Sequence, residues 1–419
     1  MSEQALRATP LVVGVEPTTA RPPLLTPRFI TQLIAQSGFG FAFSSFFLLP
    51  KYLADVLGVG PAAIGELGAV HSASAVIGLF VMGVVVDRFG RRRFLTAGAL
   101  LMAASSIAYV WMNEFGPLLY GLRIAQGLAF AMAYTGGAAL VVDQAPPERL
   151  GQALGYFGVS MLAMNAVAPV AIETLAADWG WALAFGAASA GALACAVLSR
   201  FLHEEPHEVG ADSGPGSLLR VGRRPEQLRA AVVIALVGSC FGALFVFGQL
   251  YAIEIGLPDV HALFTAYAAT ALTVRLGFGR LGDRFGRIRI SAAALLVYAG
   301  AAFVMPELGA IGLGPIGALF GLAHGLFYPT YSATVVDGAP PGERGKILAL
   351  FQGWFNVGMG VGSFGLGLYA EHEGYPAVFL VSGVGVLVSL AILLLGERSR
   401  TAETRGLAPG ATERAVPHE

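Results

Sequence analysis

Twelve long runs of apolar residues follow one another along the chain, separated by short polar connections. They fall at about 29–53, 61–86, 94–112, 116–142, 150–172 and 179–201, then at about 229–252, 260–282, 289–305, 309–336, 345–370 and 374–396. Each approaches or exceeds the roughly 20 residues that a helix needs to cross a bilayer. The runs are apolar all round and do not alternate with period two, so they predict helices and not the strands of a barrel. Runs 116–142 and 309–336 are long enough to tilt or overhang the membrane. Three segments stay polar: 1–28, 202–228 and 399–419. The first lacks the apolar stretch of a signal peptide. The second, rich in Glu, Gly, Pro and Arg, reads as a flexible linker between six spans and six.

Composition agrees with this pattern. Of 419 residues, 55% are hydrophobic and 13% are charged, and the mean hydropathy is +0.68. A soluble domain carries about 25% charge, so too little polar surface remains for a soluble enzyme, and far too much apolar surface for intrinsic disorder. The net charge of −1 gives no footprint for nucleic acid. Cys195 and Cys240 lie inside apolar runs and predict neither disulfide nor metal site. The 56 glycines are often spaced by three or four, as at Gly358, Gly362 and Gly365, and predict close helix–helix approach.

The basic residues set the orientation. Arg88, Arg91, Arg92, Arg93, Arg149, Arg220, Arg223, Arg224, Arg284, Arg287, Arg289, Arg344 and Lys346 all fall in even-numbered connections. Both termini lie on that same side, and only Lys51 falls opposite. By the positive-inside rule, the termini and linker of a plasma (inner) membrane protein are therefore expected in the cytoplasm.

A charged signature occurs twice. Gly83-Val-Val-Val-Asp87-Arg88-Phe89-Gly90-Arg91-Arg92-Arg93 follows the second run, and Gly279-Arg-Leu-Gly-Asp283-Arg284-Phe285-Gly286-Arg287 follows the eighth, an offset of 283 − 87 = 196. Val-Val-Asp143 with Arg149 follows the fourth run, and Val-Val-Asp337 with Arg344 follows the tenth, an offset of 337 − 143 = 194. Two landmarks at nearly one spacing describe a duplicated six-helix unit: a bundle over 29–201 and another over 229–398. In the loop, Gly90 permits a tight turn. Asp87 can accept from a facing helix N-terminus. Arg88, Arg91 and Arg92 can pair with acids at nearby helix ends, of which Asp143 and Glu148 are candidates.

These loops, present in both halves, resemble the signature of the major facilitator superfamily. Arg123-Ile-Ala-Gln126-Gly127 resembles its fourth-helix motif, common in proton-linked members. The resemblance covers about 29–398 and implies an all-α fold of two six-helix bundles around a cavity open to alternate sides. It also implies a conformational lock at Asp87, Arg88, Asp283 and Arg284. Gly83, Gly90, Arg91, Arg92, Asp143, Arg149, Gly279, Gly286, Arg287, Asp337 and Arg344 complete that set. Members are mostly monomeric. A proton gradient is expected as driving force, without cofactor or metal.

Polar groups inside the runs are candidates for a substrate or proton pathway. A mid-membrane Arg costs roughly 2.5–3.5 kcal/mol on insertion scales and should face a partner or a wet cavity. Arg123 and Arg275 are such residues, and either can ligate an anionic substrate. His324, Tyr328 and Tyr331 share a face at i, i+4, i+7, and a histidine can carry a proton near neutral pH. Gln32, Gln36, Phe39 and Phe43 share another face, and Gln352 and Asn356 a third. Asn165 stands alone in the fifth run. In the superfamily, helices one, four, seven and ten line the cavity, which favours Gln36, Gln126 and His324. None of those four runs carries a deep Asp or Glu; Glu66, Glu173 and Glu254 sit near membrane edges.

The leading expectation is proton-linked efflux of a small organic molecule. An importer of a small organic anion is the alternative, and a receptor that keeps the fold without net transport is a third reading. No phosphate-binding loop, metal-ligand cluster or nucleophile constellation suggests an enzyme. Glu204 and Glu205, with His203 and His207, are expected to form a solvated charge run.

Overall fold

The computed structural model describes residues 24–146, 149–202, 204, 220–257, 259–278, 281–337 and 339–406, without the side chains of 83, 84, 87, 88, 278, 283, 341, 342 and 398–406. Among the described residues there are helices and no strands. Twelve long helices occupy the twelve predicted runs. They are α1 (Pro27–Asp55), α2 (Pro61–Phe89), α3 (Arg91–Trp111), α4 (Pro117–Gln144), α5 (Leu150–Trp179) and α6 (Trp181–Ser199). The second set is α7 (Pro225–Glu254), α8 (His261–Phe278), α9 (Arg287–Ile311), α10 (Leu313–Val336), α11 (Pro341–Glu373) and α12 (Tyr375–Gly406).

Local chemistry sets the ends. Proline is the first residue of α1, α2, α4, α7 and α11, where its fixed φ suits a helix and its missing N–H costs nothing. Thr26 caps α1 by accepting from the Phe29 N–H at 3.2 Å. Gly90, at φ 104°, turns α2 straight into α3, and its repeat mate Gly286, at φ 92°, turns the short helix Leu281–Phe285 into α9. A side chain rarely adopts that backbone region.

Several predicted ends move. The fifth helix runs to Trp179, past the expected 172, because Pro169 is accommodated inside it and Glu173 finds partners there. The last helix continues to Gly406, beyond the expected boundary at 398. Residues 220–222, placed in the linker by the sequence, are helical.

Within the first half, α1 packs on α5 and α6, and α4 on α2 and α3. Within the second, α10 packs on α8 and α9, and α7 on α11 and α12. The halves meet through α2 with α11 and α5 with α8. Under the six-helix repeat these are one contact made twice, since α8 corresponds to α2 and α11 to α5. Close approach needs small residues. A Cβ on Gly65 of α2 would lie 2.2 Å from the Ser363 carbonyl oxygen of α11. Gly358 and Gly362 let α11 approach α7 at Ala235 and Ser239, whereas Gly365 has open space around it.

Gly65→Ala is therefore expected to destabilise by about 1–3 kcal/mol, the usual range for overpacking. Gly186→Ala has nothing within 4 Å and should be neutral or slightly stabilising. Thermal unfolding of the two variants in the same detergent checks the contrast.

Candidate functional site

A cavity of about 90 Å³ lies between the halves. The first half supplies Phe43 and Phe47 of α1, His71 of α2, and Arg123 and Gln126 of α4. The second half supplies Phe241 and Phe245 of α7 and Met359 of α11. Drug-sized ligands occupy about 300–1,000 Å³, so in this conformation the cavity admits only a small group. Its lining carries no Asp or Glu among the described residues.

The polar part is built from neighbouring turns. Arg123 donates from Nη1 to Gln126 Oε1 at 2.8 Å, three residues on, and from Nε to the Leu67 carbonyl at 3.4 Å. Gln126 Nε2 is buried without a hydrogen-bond partner among the described residues, and so is His71 Nδ1. The His71 ring sits 6.0 Å from Phe43. The sequence reading missed His71, which stands inside an apolar run with only Ser72 and Ser74 as polar neighbours and no charged residue to mark a shared face with Arg123.

The cavity is closed at the end remote from the duplicated loops. Phe47 meets Phe245 edge-on at 5.2 Å and stacks on Phe264 at 5.9 Å. Gln249 of α7 donates to the Phe47 carbonyl at 2.8 Å and to the Phe245 carbonyl at 2.5 Å. The second bond falls inside a π-helical turn, Ala243–Phe247, that puts Phe245 and Val246 on the cavity wall. Such turns widen the helix ladder and leave carbonyls for side chains to satisfy.

Glu173 fastens the same end. From α5 it accepts the Val260 N–H at 3.1 Å and the His261 N–H at 2.6 Å, at the start of α8, and its Oε2 lies 2.9 Å from His261 Nδ1. It also pairs with Lys51 of α1. An acid of the first half thus caps a helix of the second, where the helix dipole favours negative charge. Lys51, the exception to the charge asymmetry, is the cation that this acid requires.

The duplicated loops hold matching pairs at the other end. Arg91 pairs with Asp143, and Arg287 donates to Asp337 at 2.6 Å. Arg92 donates to the Leu202 carbonyl at 3.3 Å. Glu204, expected to be solvated, instead accepts the Arg91 N–H at 2.5 Å and the Arg92 N–H at 3.3 Å, capping α3. Arg344 donates to the Ala339 carbonyl at 3.2 Å, and the Arg284 guanidinium lies over Phe285 at 5.2 Å. The Arg149 backbone closes the turn before α5 by donating to the Pro146 carbonyl at 2.8 Å. Gly279, the surroundings of Gly83 and the side chains of Asp87, Arg88 and Asp283 lie outside what is described.

The remaining predicted pathway residues divide. His324 is buried among Phe241, Tyr267, Tyr298, Tyr328 and Phe355, with ring centroids at 5.1–6.3 Å, and reaches Tyr298 Oη at 3.4 Å. The Arg275 guanidinium lies 5.9 Å from the Tyr328 ring, and its Nε has no hydrogen-bond partner among the described residues. Tyr328 donates to Gln352 Oε1, whereas Asn356 bonds back to its own helix at the Gln352 carbonyl, 2.9 Å away. Phe39 is fully buried among Ala35, Ala42, Leu95 and Ala99, so it is core and does not line the cavity. Gln36 is also fully buried, donating to the Met161 sulfur at 3.3 Å within the first half. Asn165, expected to stand alone, accepts from Ser44 at 2.7 Å. In this conformation neither Phe39 nor Gln36 lines the cavity, because helical spacing gives a shared face but not what that face meets. Among the described residues no three His, Cys, Asp or Glu gather as metal ligands.

The sequence profile of the Major Facilitator Superfamily matches residues 32–317 and 257–417. The chain is 23% identical over 368 residues to Multidrug resistance protein 2 of Bacillus subtilis, covering 84% of this chain and 90% of that one. It is 24% identical over 363 residues to the multi-drug resistance efflux pump PmrA of Streptococcus pneumoniae, covering 82% and 89%. In fold it is similar to the nucleoside transporter NupG, with a TM-score of 0.76 at 12% identity over 88% of this chain and 99% of that one. Duplicated bundles, a cavity at their interface and a profile match over nearly the whole length agree: the chain belongs to the Major Facilitator Superfamily of secondary transporters.

Proposed function

We propose that the chain exports a small organic molecule across the plasma membrane by alternating access, driven by proton entry. The observation that carries this reading is the interface itself. The halves are tied at one end by few polar contacts around Glu173 and Gln249, and such a seal can open as a unit. At the other end, the lock at Asp87, Arg88, Asp283 and Arg284 would hold the opposite closure. The relatives named for multidrug resistance and efflux favour export over import. Lys/Arg asymmetry supports cytoplasmic termini. The chain acts as a monomer on this reading.

The test compares metabolites inside cells and in spent medium, for matched cells with and without the chain, with and without a protonophore. The expected result is a compound enriched outside only with the chain, and only while the proton gradient stands. Enrichment inside would establish import, and indifference to the protonophore would contradict proton coupling.

A further inference from the structure

We infer that the transported molecule is an organic anion whose carboxylate, or comparable oxyanion, is held by Arg123, Gln126 and His71. This deepens the transport reading and rests on it. Two buried groups without a hydrogen-bond partner among the described residues, Gln126 Nε2 and His71 Nδ1, line the cavity together with the half-buried Arg123 guanidinium.

Arg123 is the first. A guanidinium carries five N–H donors and no acceptor. Its neighbours are a neutral amide at Nη1, a carbonyl at 3.4 Å from Nε and the Tyr109 hydroxyl, which leaves donors for the cavity that it lines. None of these is a carboxylate. Gln126 is the second. Because Arg123 can only donate, the amide must present Oε1 to it, and that fixes Nε2 as a donor. That Nε2 belongs to a side chain only 1% exposed and has no partner among the described residues. His71 is the third: 7% exposed, with Nδ1 buried and unpartnered.

A buried donor without an acceptor is costly, and a buried cation without an anion more so. One carboxylate meets these needs together. Its two oxygens offer about four lone-pair sites, enough for the guanidinium, the amide and an N–H tautomer of the histidine. The rest of the cavity fixes the other end of the molecule. Phe43, Phe47, Phe241 and Phe245 present ring faces and edges, which suit an aryl or alkyl body once the halves part, since the closed cavity of about 90 Å³ admits only a small group. A cationic lipophile meets the opposite conditions: a fixed positive charge, and no carboxylate in the lining among the described residues.

The test is equilibrium binding of radiolabelled benzoate to the whole protein in lipid nanodiscs, with no ion gradient. Benzamide and benzylammonium compete as isosteres, neutral and cationic. Benzoate should bind about ten-fold or more tightly than benzamide, as expected for hydrogen bonds to a charged group, and benzylammonium should not compete. Arg123→Gln should weaken benzoate by about ten-fold or more, with Arg123→Lys retaining part of the affinity. Gln126→Leu should weaken it by a smaller factor.

Equal competition by benzamide, stronger competition by benzylammonium, full binding by Arg123→Gln, or no binding of benzoate would each overturn the assignment. The isostere comparison uses the unaltered chain and so stands even if Arg123→Gln fails to fold. Since no gradient is applied, these outcomes bear on the substrate class alone. Loss of gradient-driven export with benzoate binding intact would instead overturn the transport reading.

Discussion

Glu173→Gln is expected to open the sealed end of the molecule. The glutamine retains an oxygen for the Val260 and His261 N–H groups but loses the charge that Lys51 and the start of α8 require. Both partners of the ion pair are largely buried, with side chains 15% exposed at Lys51 and 9% at Glu173. Removing one charge of such a pair costs about 3–5 kcal/mol when burial is complete, so about 2–3 kcal/mol is expected here. Lys51 and Glu173 both lie in the first half, so their pair survives opening, and only the loss at the start of α8, about 1–2 kcal/mol for a charge at a helix N-terminus, falls on the closed conformation alone. It shifts the balance between closed and open by roughly 5- to 30-fold. The reading is chemical access. Both native thiols are buried, so a cysteine at Ser72, close to α11 at Gly360, can report in a Cys195→Ser, Cys240→Ser background. An impermeant maleimide added from the side of Glu173 should label it much faster in the Glu173→Gln variant. Equal rates would show that Glu173 does not fasten that end.

The second large effect separates the two copies of the repeat. By sequence, Arg91 with Asp143 and Arg287 with Asp337 are the same pair twice. Their surroundings differ. The Arg91 and Asp143 side chains are 8% and 7% exposed, whereas those of Arg287 and Asp337 are 34% and 52% exposed. Asp143→Ala removes a buried carboxylate from a guanidinium that keeps a further partner, and should destabilise by about 2–3 kcal/mol, below the full cost of an uncompensated buried charge. Asp337→Ala breaks a pair that water and salt already screen and should cost at most about 1 kcal/mol. Thermal unfolding in one detergent, at low and high salt, checks this. Asp143→Ala should fall by many degrees at both salt concentrations, and Asp337→Ala should barely move. Equal losses would contradict the asymmetry.

Much of the architecture is legible in the sequence because the bilayer enforces it. A spanning segment must satisfy its backbone internally, so each apolar run becomes a helix, and prolines and glycines mark where it begins and turns. The repeat was legible because its landmarks are charged residues at fixed spacing. What stayed hidden is what depends on contacts between halves. Glu173 lies at the edge of its run by hydropathy alone, and nothing near it in sequence announces that α8 begins against it. His71 has the same difficulty, since its neighbours at the cavity come from α1 and α4. Phe39 and Phe43 share a helix face, yet one is core and the other lines the cavity, because a face several residues long spans more than one environment. Glu204 was read as solvated from its polar surroundings, but α3 begins with a glycine turn and free N–H groups that an acid can cap.

The central claim is that two halves rock about a common site, and the most direct test reads both ends at once. Spin labels at Val56 and Ile311, both exposed near the Glu173 end, report one distance across the halves. Labels at Phe201 and Leu228, exposed near the charged loops, report the other. Distance distributions in nanodiscs, for the intact chain and for Glu173→Gln, should move in opposite directions: wider at the Glu173 end and narrower at the loop end. Both distances unchanged, or both moving the same way, would contradict alternating access.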